Sequence, residues 1–291
     1  FSFVNGHKIT VGAGMVTNRV SLTRYSFSTE VINLNNNSTR FIAFINDDLP
    51  LGKSIRLNTG FRFAYSSTIN KIYPQPRISA TIKLTDELKL NAAWGIYDQF
   101  MAKTLVVDSA NNISYFWTNS DDELIPVLTA NHNVAGLSYS ENGFNANLDL
   151  YYKNTRGITR FFNGNNRLLR GFYQGTGRSH GMDIFIQKEF DENMFWLSYS
   201  LSKTEEHFPH FVRNYYRPAP HHQNHELKVA GIINLNSFYL SANYVYGSGF
   251  ERFNFETQEG IWLNKDYNRF DVSLIYKFGL GNEKAETGWS G

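Results

Sequence analysis

The chain has 291 residues, of which 42% are hydrophobic and 16% are aromatic, and it contains no cysteine. The lack of cysteine excludes a disulfide framework and a thiolate metal site. Its 28 Lys and Arg residues nearly balance its 26 Asp and Glu residues, leaving a net charge of +2. This balance gives no sign of the concentrated basic surface of a nucleic-acid-binding protein. The sequence contains no run of 18 apolar residues, so it predicts no transmembrane helix.

Alternating apolar and polar residues predict about fourteen β-strands along the chain. The clearest predicted strands are residues 7–15, 26–34, 40–46, 54–65, 77–84, 88–96, 133–139, 144–152, 179–190, 194–204, 225–234, 238–246 and 270–278. Among these, the alternating pattern is weakest at residues 26–34. The polar segment 35–38 predicts a turn. The segment 73–76 contains two prolines, which cannot donate to a ladder, so we expect it to break the sheet.

The segment 179–204 shows the alternating pattern most clearly. Ile184 and Ile186 lie on one side of an extended chain, and Asp183 and Gln187 lie on the other. The short polar segment 191–193 is typical of a hairpin connection. Each arm has about ten residues, the length with which a tilted strand crosses a bilayer.

The predicted connections are short at one end of the strands and long at the other. Long connections are expected at about residues 98–132, 153–178, 205–224 and 247–268, in strict alternation with tight turns from Asp47 onward. This asymmetry is typical of transmembrane β-barrels, which place apolar residues toward lipid and polar residues toward the lumen. The competing hypothesis is a soluble β-sandwich or propeller, whose apolar face packs on a second sheet. The sequence favours an all-β, antiparallel, up-and-down transmembrane β-barrel.

The pattern also assigns side chains to the two faces of the sheet. Residues expected to face lipid are Ile78, Ile82, Leu88, Leu90, Leu148, Leu150, Ile184, Leu197, Leu240, Val272 and Leu274. Residues expected to face the lumen are Arg77, Lys83, Asn145, Asn147, Asp149, Asp183, Asn243 and Asp271.

Several segments, in their order and spacing, resemble the barrel of a TonB-dependent outer-membrane receptor of the Bacteroidetes type. These segments are residues 73–79, 86–88, 128–130, 134–137, 149–155, 175–183, 247–250 and 269–272. Such receptors have a barrel of about 22 strands, closed by an N-terminal plug domain. They import scarce ligands across the bacterial outer membrane with energy transmitted by TonB.

The resemblance implies that residues 1–291 are a single β-barrel domain that forms the C-terminal part of the barrel. The sequence begins without a plug or a TonB box, and residues 286–291 are not the aromatic-ended strand that closes such barrels. We therefore expect an incomplete portion of a 22-strand barrel. The alternative is a complete barrel of about 14 strands, an even number that such barrels allow. The implied partners are outer-membrane lipid, the remaining strands and plug of the same receptor, TonB through that plug, and a small-molecule or oligomeric ligand.

Candidate ligand-binding residues lie in the predicted long connections, because loops on a rigid scaffold carry recognition. Five of the eight histidines fall in residues 205–225, where prolines preclude a continuous helix. Direct metal binding by these histidines is a hypothesis, although no fixed ligand spacing supports it. Arginine and tyrosine there can contact an anionic or sugar-like ligand, or pack between loops. The candidates are Tyr115, Phe116, Trp117, His207, His210, Arg213, Tyr215, Tyr216, Arg217, His221 and His222.

Catalysis has little support in the sequence. Ser179, His180 and Asp183 are close in sequence, but alternation sends His180 to the opposite face from the other two. No nucleophile elbow, phosphate loop or HExxH motif is present. We therefore predict no enzyme, no cofactor and no resident metal. Two function classes remain open: an energy-coupled receptor for a siderophore, haem, glycan or peptide ligand, and a passive pore or a structural or adhesive barrel.

Overall fold

Antiparallel pairing of successive strands organises the fold. The computed structural model describes residues 6–26, 28–108, 113–163, 171–210, 215–253, 260–263 and 265–278. Its strands are β1 (Lys8–Ser26), β2 (Thr29–Leu51), β3 (Ile55–Ser66), β4 (Lys71–Lys83), β5 (Leu88–Gln99), β6 (Met101–Asp108), β7 (Ile113–Asn119), β8 (Leu128–Glu141), β9 (Phe144–Asn163), β10 (Gly171–Phe190), β11 (Asn193–His207), β12 (Arg217–Pro218), β13 (His225–Leu235), β14 (Phe238–Gly247), β15 (Phe250–Phe253), β16 (Gly260–Leu263) and β17 (Tyr267–Tyr276). Within these described residues no helix is long and apolar enough to cross a membrane.

Fifteen strands belong to one sheet, and twelve of them form an unbroken path of neighbours. That path is β1-β2-β3-β4-β5-β8-β9-β10-β11-β13-β14-β17, and every pair along it is antiparallel. The three other strands of this sheet, β6, β7 and β12, lie off the path, and β15 pairs only with β16. The predicted all-β, up-and-down architecture is confirmed. In the described part of the chain β1 and β17 are the two ends of the path and do not pair with each other.

The connections differ in length between the two ends of the sheet. At one end, called here the turn end, residues 52–54, 84–87, 142–143, 191–192 and 236–237 join strands by two to four residues. Asn142 and Gly143 have φ values of 47° and 72°, as a two-residue hairpin with a type I′ turn requires. At the opposite, loop end, the connections range from two residues to the whole of 100–127. Strict alternation from Asp47 onward was wrong at residues 67–70, where the loop end also has a short connection. Residues 27–28, before the range of that prediction, form another short connection at this end.

Two predicted interruptions of the sheet were wrong. Residues 35–38 do not form a turn, because they lie inside β2 and pair with residues 18–21 of β1. Pro74 and Pro76 do not break the ladder, since both lie within β4 opposite β3. Strand β4 pairs with β5 only from Arg77 onward, so the prolines occupy a stretch with a ladder partner on one side only. An unpaired side is where a strand tolerates the missing N–H of proline.

The strands are also longer than predicted. Strands β9 and β10 each have 20 residues, whereas about ten suffice to cross a bilayer. The predicted long connection 153–178 is therefore mostly ladder, and only residues 164–170, which lie outside the described part, separate the two strands. The predicted loops 205–224 and 247–268 correspond to connections 208–224 and 248–266.

The register confirms that the predicted apolar and polar sets lie on opposite faces of the sheet. One row across β8 to β11 reads Leu137, Leu148, Ile184 and Tyr199, and the next reads Gly136, Asp149, Asp183 and Ser200. Paired residues share a face and neighbours along a strand alternate, so the first row belongs to an apolar face and the second to a polar face. The apolar face carries large exposed side chains, including Phe41, Ile78, Leu90, Leu150, Leu201, Val272 and Leu274. No second sheet covers them among the described residues, contrary to a sandwich.

The face assignment predicts unequal effects of the same charge on neighbouring residues. If the apolar face meets lipid, Leu148→Arg places a charge there at a cost of about 2–4 kcal/mol, whereas Asn147→Arg points to the polar face. We expect the first variant to assemble poorly and the second to assemble normally. Heat-modifiable migration of the full-length protein in outer-membrane fractions measures this. Equal assembly of the two variants would contradict the assignment.

Candidate ligand-binding site at the loop end

A hairpin formed by β6 and β7 folds over the polar face at the loop end. Strand β6 leaves the main path after β5 and pairs in parallel with the far end of β9, from Leu105 opposite Arg160 onward. Strand β7 then returns antiparallel to β6. The side-chain amide of Asn119 donates to the backbone carbonyls of Asn18 and Asn36, both at 3.2 Å. These hydrogen bonds fasten the hairpin to β1 and β2.

Apolar packing holds the same hairpin in place. Val106 and Phe116 are buried against Ile32 of β2 and Phe161 of β9. A second buried cluster joins Phe100 and Val127, at the two ends of the connection, to Ala64 and Tyr73 of β3 and β4. Both clusters lie at the loop end, where the polar face carries apolar residues. The connection 100–127 is therefore a packed element with a fixed position on the sheet.

The connection 208–224 continues the sheet beyond the loop end of β13. Its short strand β12 places Arg217 opposite Glu206 of β11. Further along, the Ala219 N–H donates to the Thr204 carbonyl at 2.9 Å. The side chain of His222 accepts a hydrogen bond from the Thr204 N–H at 3.2 Å. Backbone pairing therefore brings His221 and His222 to the sheet, beside the ends of β9 and β10.

A cavity of about 320 Å³ opens on the polar face between these two connections. Lys103 and Tyr115 of the hairpin line one side, and His221 of the connection 208–224 lines another. Strands β9, β10 and β11 contribute Lys153, Thr155, Ile158, Thr159, Arg160, Gly177, Arg178, Ser179, Thr204, Glu205 and Glu206. The Lys103 ammonium lies 4.5 Å from the centre of the Tyr115 ring, which positions both side chains.

Arg160 is the most buried charged group of this cavity, with a side-chain exposure of 3%. Its Nη2 donates to the Glu206 carboxylate, and its guanidinium lies 5.2 Å from the centre of the Phe208 ring. Burial lowers the pKa of Arg160 to about 9, so the side chain remains a cation at neutral pH. Its Nε and Nη1 have no hydrogen-bond partner among the described residues. A buried cation with unsatisfied donors favours an anionic or acceptor-rich ligand.

The charges around the cavity are unequal. Lys103, Lys153, Arg160 and Arg178 supply four cations, and Glu205 and Glu206 supply two carboxylates. Burial lowers the pKa of His221, and the nearby Arg160 charge lowers it further. His221 is therefore neutral at pH 7 and can donate or accept one hydrogen bond without adding charge. The arrangement can bind an anionic group of a ligand, with Tyr115 available for stacking.

The structure brings some of the predicted site residues together and separates others. Tyr115 and His221 both line the cavity, whereas Phe116 is buried in a core cluster. Tyr216 lies against Arg178, 4.2 Å from its guanidinium carbon, and its ring is 5.3 Å from that of His207. The remaining candidates are placed as follows: Trp117 is exposed on β7, Tyr215 packs under Arg217, His210 lies against Tyr173, His222 packs against β11, and Arg213 is outside the described residues. Their role in ligand binding stays a prediction.

No pattern in the sequence indicated Lys103, Lys153, Arg160 and Glu206. These residues lie on three strands, β6, β9 and β11, which the parallel pairing of β6 with β9 and the antiparallel pairing of β10 with its two neighbours bring to one place. Within the described part of the chain, no three His, Asp or Glu residues converge as a metal site. The hypothesis of direct metal binding by the histidines therefore gains no structural support.

The fold defines a class: an open, antiparallel, up-and-down sheet with short turns at one end and elaborated loops at the other, as in barrels of the bacterial outer membrane. Solved structures support this class. The siderophore receptor PirA from Acinetobacter baumannii matches 96% of this chain over 47% of its own length, with 12% identity and a TM-score of 0.67. The ferric-catecholate import receptor Fiu from E. coli K12 matches 94% of this chain over 46% of its own length, with 11% identity and a TM-score of 0.67.

A third neighbour is FpvA of P. aeruginosa, solved with pyoverdine and iron, which matches 95% of this chain over 40% of its own length at 11% identity and a TM-score of 0.64. The chain thus spans less than half the length of these neighbours, all of which are transport receptors rather than enzymes. At this identity the likeness establishes the fold. No protein-family model matches the sequence. No curated protein matches it either.

The hydrogen bond from Thr204 to His222 predicts a pH-dependent loop. Burial lowers the pKa of His222, although a hydrogen bond to Asn224 and the charge of Glu205 oppose this effect. An opened loop takes up the proton at the ordinary value of about 6.5. The packed loop should therefore be fully stable above about pH 6.5 and lose stability as pH falls below it. Hydrogen exchange at residues 204 and 217–223, corrected for intrinsic rates, should be faster at pH 5.5 than at pH 7.5.

The control for this prediction is His222→Gln combined with His221→Gln, because burial lowers the pKa of His221 in the same loop as well. This variant retains an acceptor at 222 and has no histidine at 221 or 222 to titrate. Its exchange should change little between the two pH values. Equal protection of the unmodified protein at both pH values would contradict the assigned role of His222.

Proposed function

We propose that this chain forms the barrel portion of a TonB-dependent receptor that imports a scarce ligand across the bacterial outer membrane. One observation carries the proposal: twelve strands follow one another in an open antiparallel path, and siderophore receptors match nearly all of it. The siderophore, haem, glycan and peptide classes of ligand all suit such a receptor. The narrower resemblance to receptors of the Bacteroidetes type belongs to the proposal and is supported by the sequence segments alone.

The membrane setting follows from the faces and edges of the sheet. Exposed apolar residues such as Ile78, Leu150 and Leu274 suit contact with outer-membrane lipid. Hydrocarbon offers no hydrogen bonds, so β1 and β17, which end the path of strands within the described residues, would each need a further strand beside them in a membrane. The remaining strands of the same receptor are the simplest partners, and they agree with the length of the neighbours. A plug domain inside the barrel and TonB acting through it complete the proposed set of partners.

The cavity at the loop end supports a ligand with at least one anionic group. Arg160 offers buried donors with no partner among the described residues, and Lys103 and Lys153 add charge around them. Guanidinium groups bind carboxylates and similar oxyanions with directional, charge-assisted hydrogen bonds. An acidic siderophore or a haem propionate has this chemistry. A neutral glycan could use the hydroxyl and aromatic side chains but would leave the charges of the cavity unmatched.

The alternative is a passive pore or a structural barrel. The packed connection 100–127 covers part of the polar face at the loop end, which favours a gated receptor over an open channel. Energy coupling separates the two classes directly. Uptake by a receptor requires TonB and a proton gradient, whereas diffusion through a pore requires neither.

The connection 208–224 provides the test of this function. It should be replaced in the full-length protein by a short Gly/Ser linker, which leaves β11 intact up to His207. We expect normal assembly and a loss of at least about tenfold in uptake, since His221 and the wall of the cavity are removed. Uptake is measured with a panel of ferric siderophores, haem, an acidic oligosaccharide and a peptide, in cells with and without TonB. TonB-independent uptake would refute the receptor, and unchanged uptake by the linker variant would remove this connection from the site.

The charges of the cavity can be tested separately. We expect Lys103→Gln combined with Lys153→Gln to weaken binding of an anionic ligand by about tenfold or more, because two charge-assisted contacts are lost. The matched control is Lys83→Gln combined with Lys89→Gln, which removes the same charge from the polar face at the turn end. Equal loss of binding in both double variants would show a general electrostatic effect in place of a site.

A further inference from the structure

A second group of basic side chains lies on the apolar face, just beyond its apolar band. Leu150, Met182 and Leu201 form one row of that band across β9, β10 and β11. The next row on the same face, toward the loop end, is Tyr152, His180 and Lys203. The row after it is Asn154, Arg178 and Glu205, and Arg156 follows on β9. The outer basic cluster is defined here as Arg156, Arg178, His180 and Lys203.

Contacts within the cluster hold its cations at the surface. Arg178 donates from Nε to Glu205 at 2.7 Å, and Lys203 lies 3.0 Å from the other oxygen of the same carboxylate. Burial alone would raise the pKa of Glu205, but these hydrogen bonds outweigh burial and lower it. The side chains of Arg178 and Lys203 nevertheless stay 40% and 52% exposed. The arrangement fixes the cations and leaves them open to solvent.

The charge of the cluster is not balanced by its surroundings. Arg156 is exposed and adds a third permanent cation. The nearby carboxylates are Glu205 and Asp98, which lies two strands away in the same row as Arg156. His180 is also exposed, stacked 6.4 Å from Tyr152, and adds charge when protonated. At the turn end of strands β8 to β11, this face carries Glu141 and Lys188, one charge of each sign. The excess of cations is therefore confined to the loop end.

A lipid molecule fits both parts of this surface. Acyl chains would lie on the exposed band, where Leu150 and Leu201 are 52% and 39% exposed. Its headgroup would then reach the level of the outer basic cluster, about one residue pair further along the strands. Basic side chains at this level attract anionic headgroups, and arginine binds phosphate oxygens in pairs. The aromatic rings of Tyr152 and Tyr216 suit the same interfacial level.

We propose that Arg156, Arg178 and Lys203 bind the phosphate of an anionic membrane lipid in the leaflet on the loop side. Arg156, His180 and Lys203 do not line the ligand cavity, whereas Arg178 and its partner Glu205 border it. The variants that test the lipid site therefore change only Arg156 and Lys203. The proposal rests on the proposed membrane location and does not depend on which ligand is imported or on TonB.

The experiment uses the full-length protein, purified in neutral detergent and mixed with dimyristoyl phosphatidic acid or with phosphatidylcholine of the same chains. Native mass spectrometry counts the retained lipid. We expect preferential retention of the phosphatidic acid. Each removed cation should lower its affinity about fivefold, which corresponds to about 1 kcal/mol per basic residue near an anionic surface. Arg156→Gln tests one charge, and Arg156→Gln with Lys203→Gln tests two.

Three comparisons make the result decisive. Lys83→Gln with Lys89→Gln removes two charges from the polar face at the turn end and should leave lipid retention unchanged. Glycerol phosphate, the headgroup without chains, should not displace the lipid at equal concentration. Arg156 is exposed, so its single variant should fold, and heat-modifiable migration checks this. Undiminished retention by the cluster variants, equal loss in the control, or equal binding of glycerol phosphate would each overturn the proposal. If the lipid is retained but uptake does not depend on TonB, the receptor function is refuted and the lipid site is not.

Discussion

The antiparallel backbone ladder is the constraint on which the rest of the structure depends. Side chains alternate along every strand, so a shift of one residue would exchange the apolar and polar faces. The turn end prevents such shifts, because Asn142, Asp191 and Asn236 adopt positive φ in its short connections. Left-handed residues at these positions match the twist of a hairpin and fix its register. Register in turn places Arg160 and Glu206 of the cavity on one face, and Arg156 and Lys203 of the outer basic cluster on the other.

The functional surface is built on extensions of this ladder beyond the length that a bilayer needs. A bulge at Gly157, with a φ of 82°, shifts the register between β9 and β10. A side chain at Gly157 would meet the Val127 carbonyl at 2.7 Å, so glycine is needed there. Beyond the bulge Arg160 faces the cavity, where it can reach Glu206. Recognition residues on paired strands are held more precisely than residues on free loops.

The sequence predicted what depends on the period of two: the strand type, the paired faces of segments such as 144–152 and the short turns. It failed at 35–38 and 73–76, where local turn and proline preferences lose to pairing with a neighbouring strand. The cavity could not be predicted, because Lys103 and Arg160 meet through a parallel contact between strands that are not successive. The aromatic segment 115–117 was recognised, but only the structure separates buried Phe116 from exposed Tyr115.

Three arginines of the polar face indicate which groups would lie against that face inside a barrel. Arg40, Arg62 and Arg77 lie on neighbouring strands of this face, and each has a buried Nε without a hydrogen-bond partner among the described residues. Phe100 and Tyr97 cover two of the guanidinium groups at 5.0 and 4.7 Å, but rings accept no hydrogen bond from Nε in the plane. Buried donors of this kind need acceptors. In the proposed receptor, carboxylate or carbonyl groups of a polar plug facing β2, β3 and β4 would supply these acceptors and, through the carboxylates, opposite charge. Water in an open pore would supply acceptors but no opposite charge.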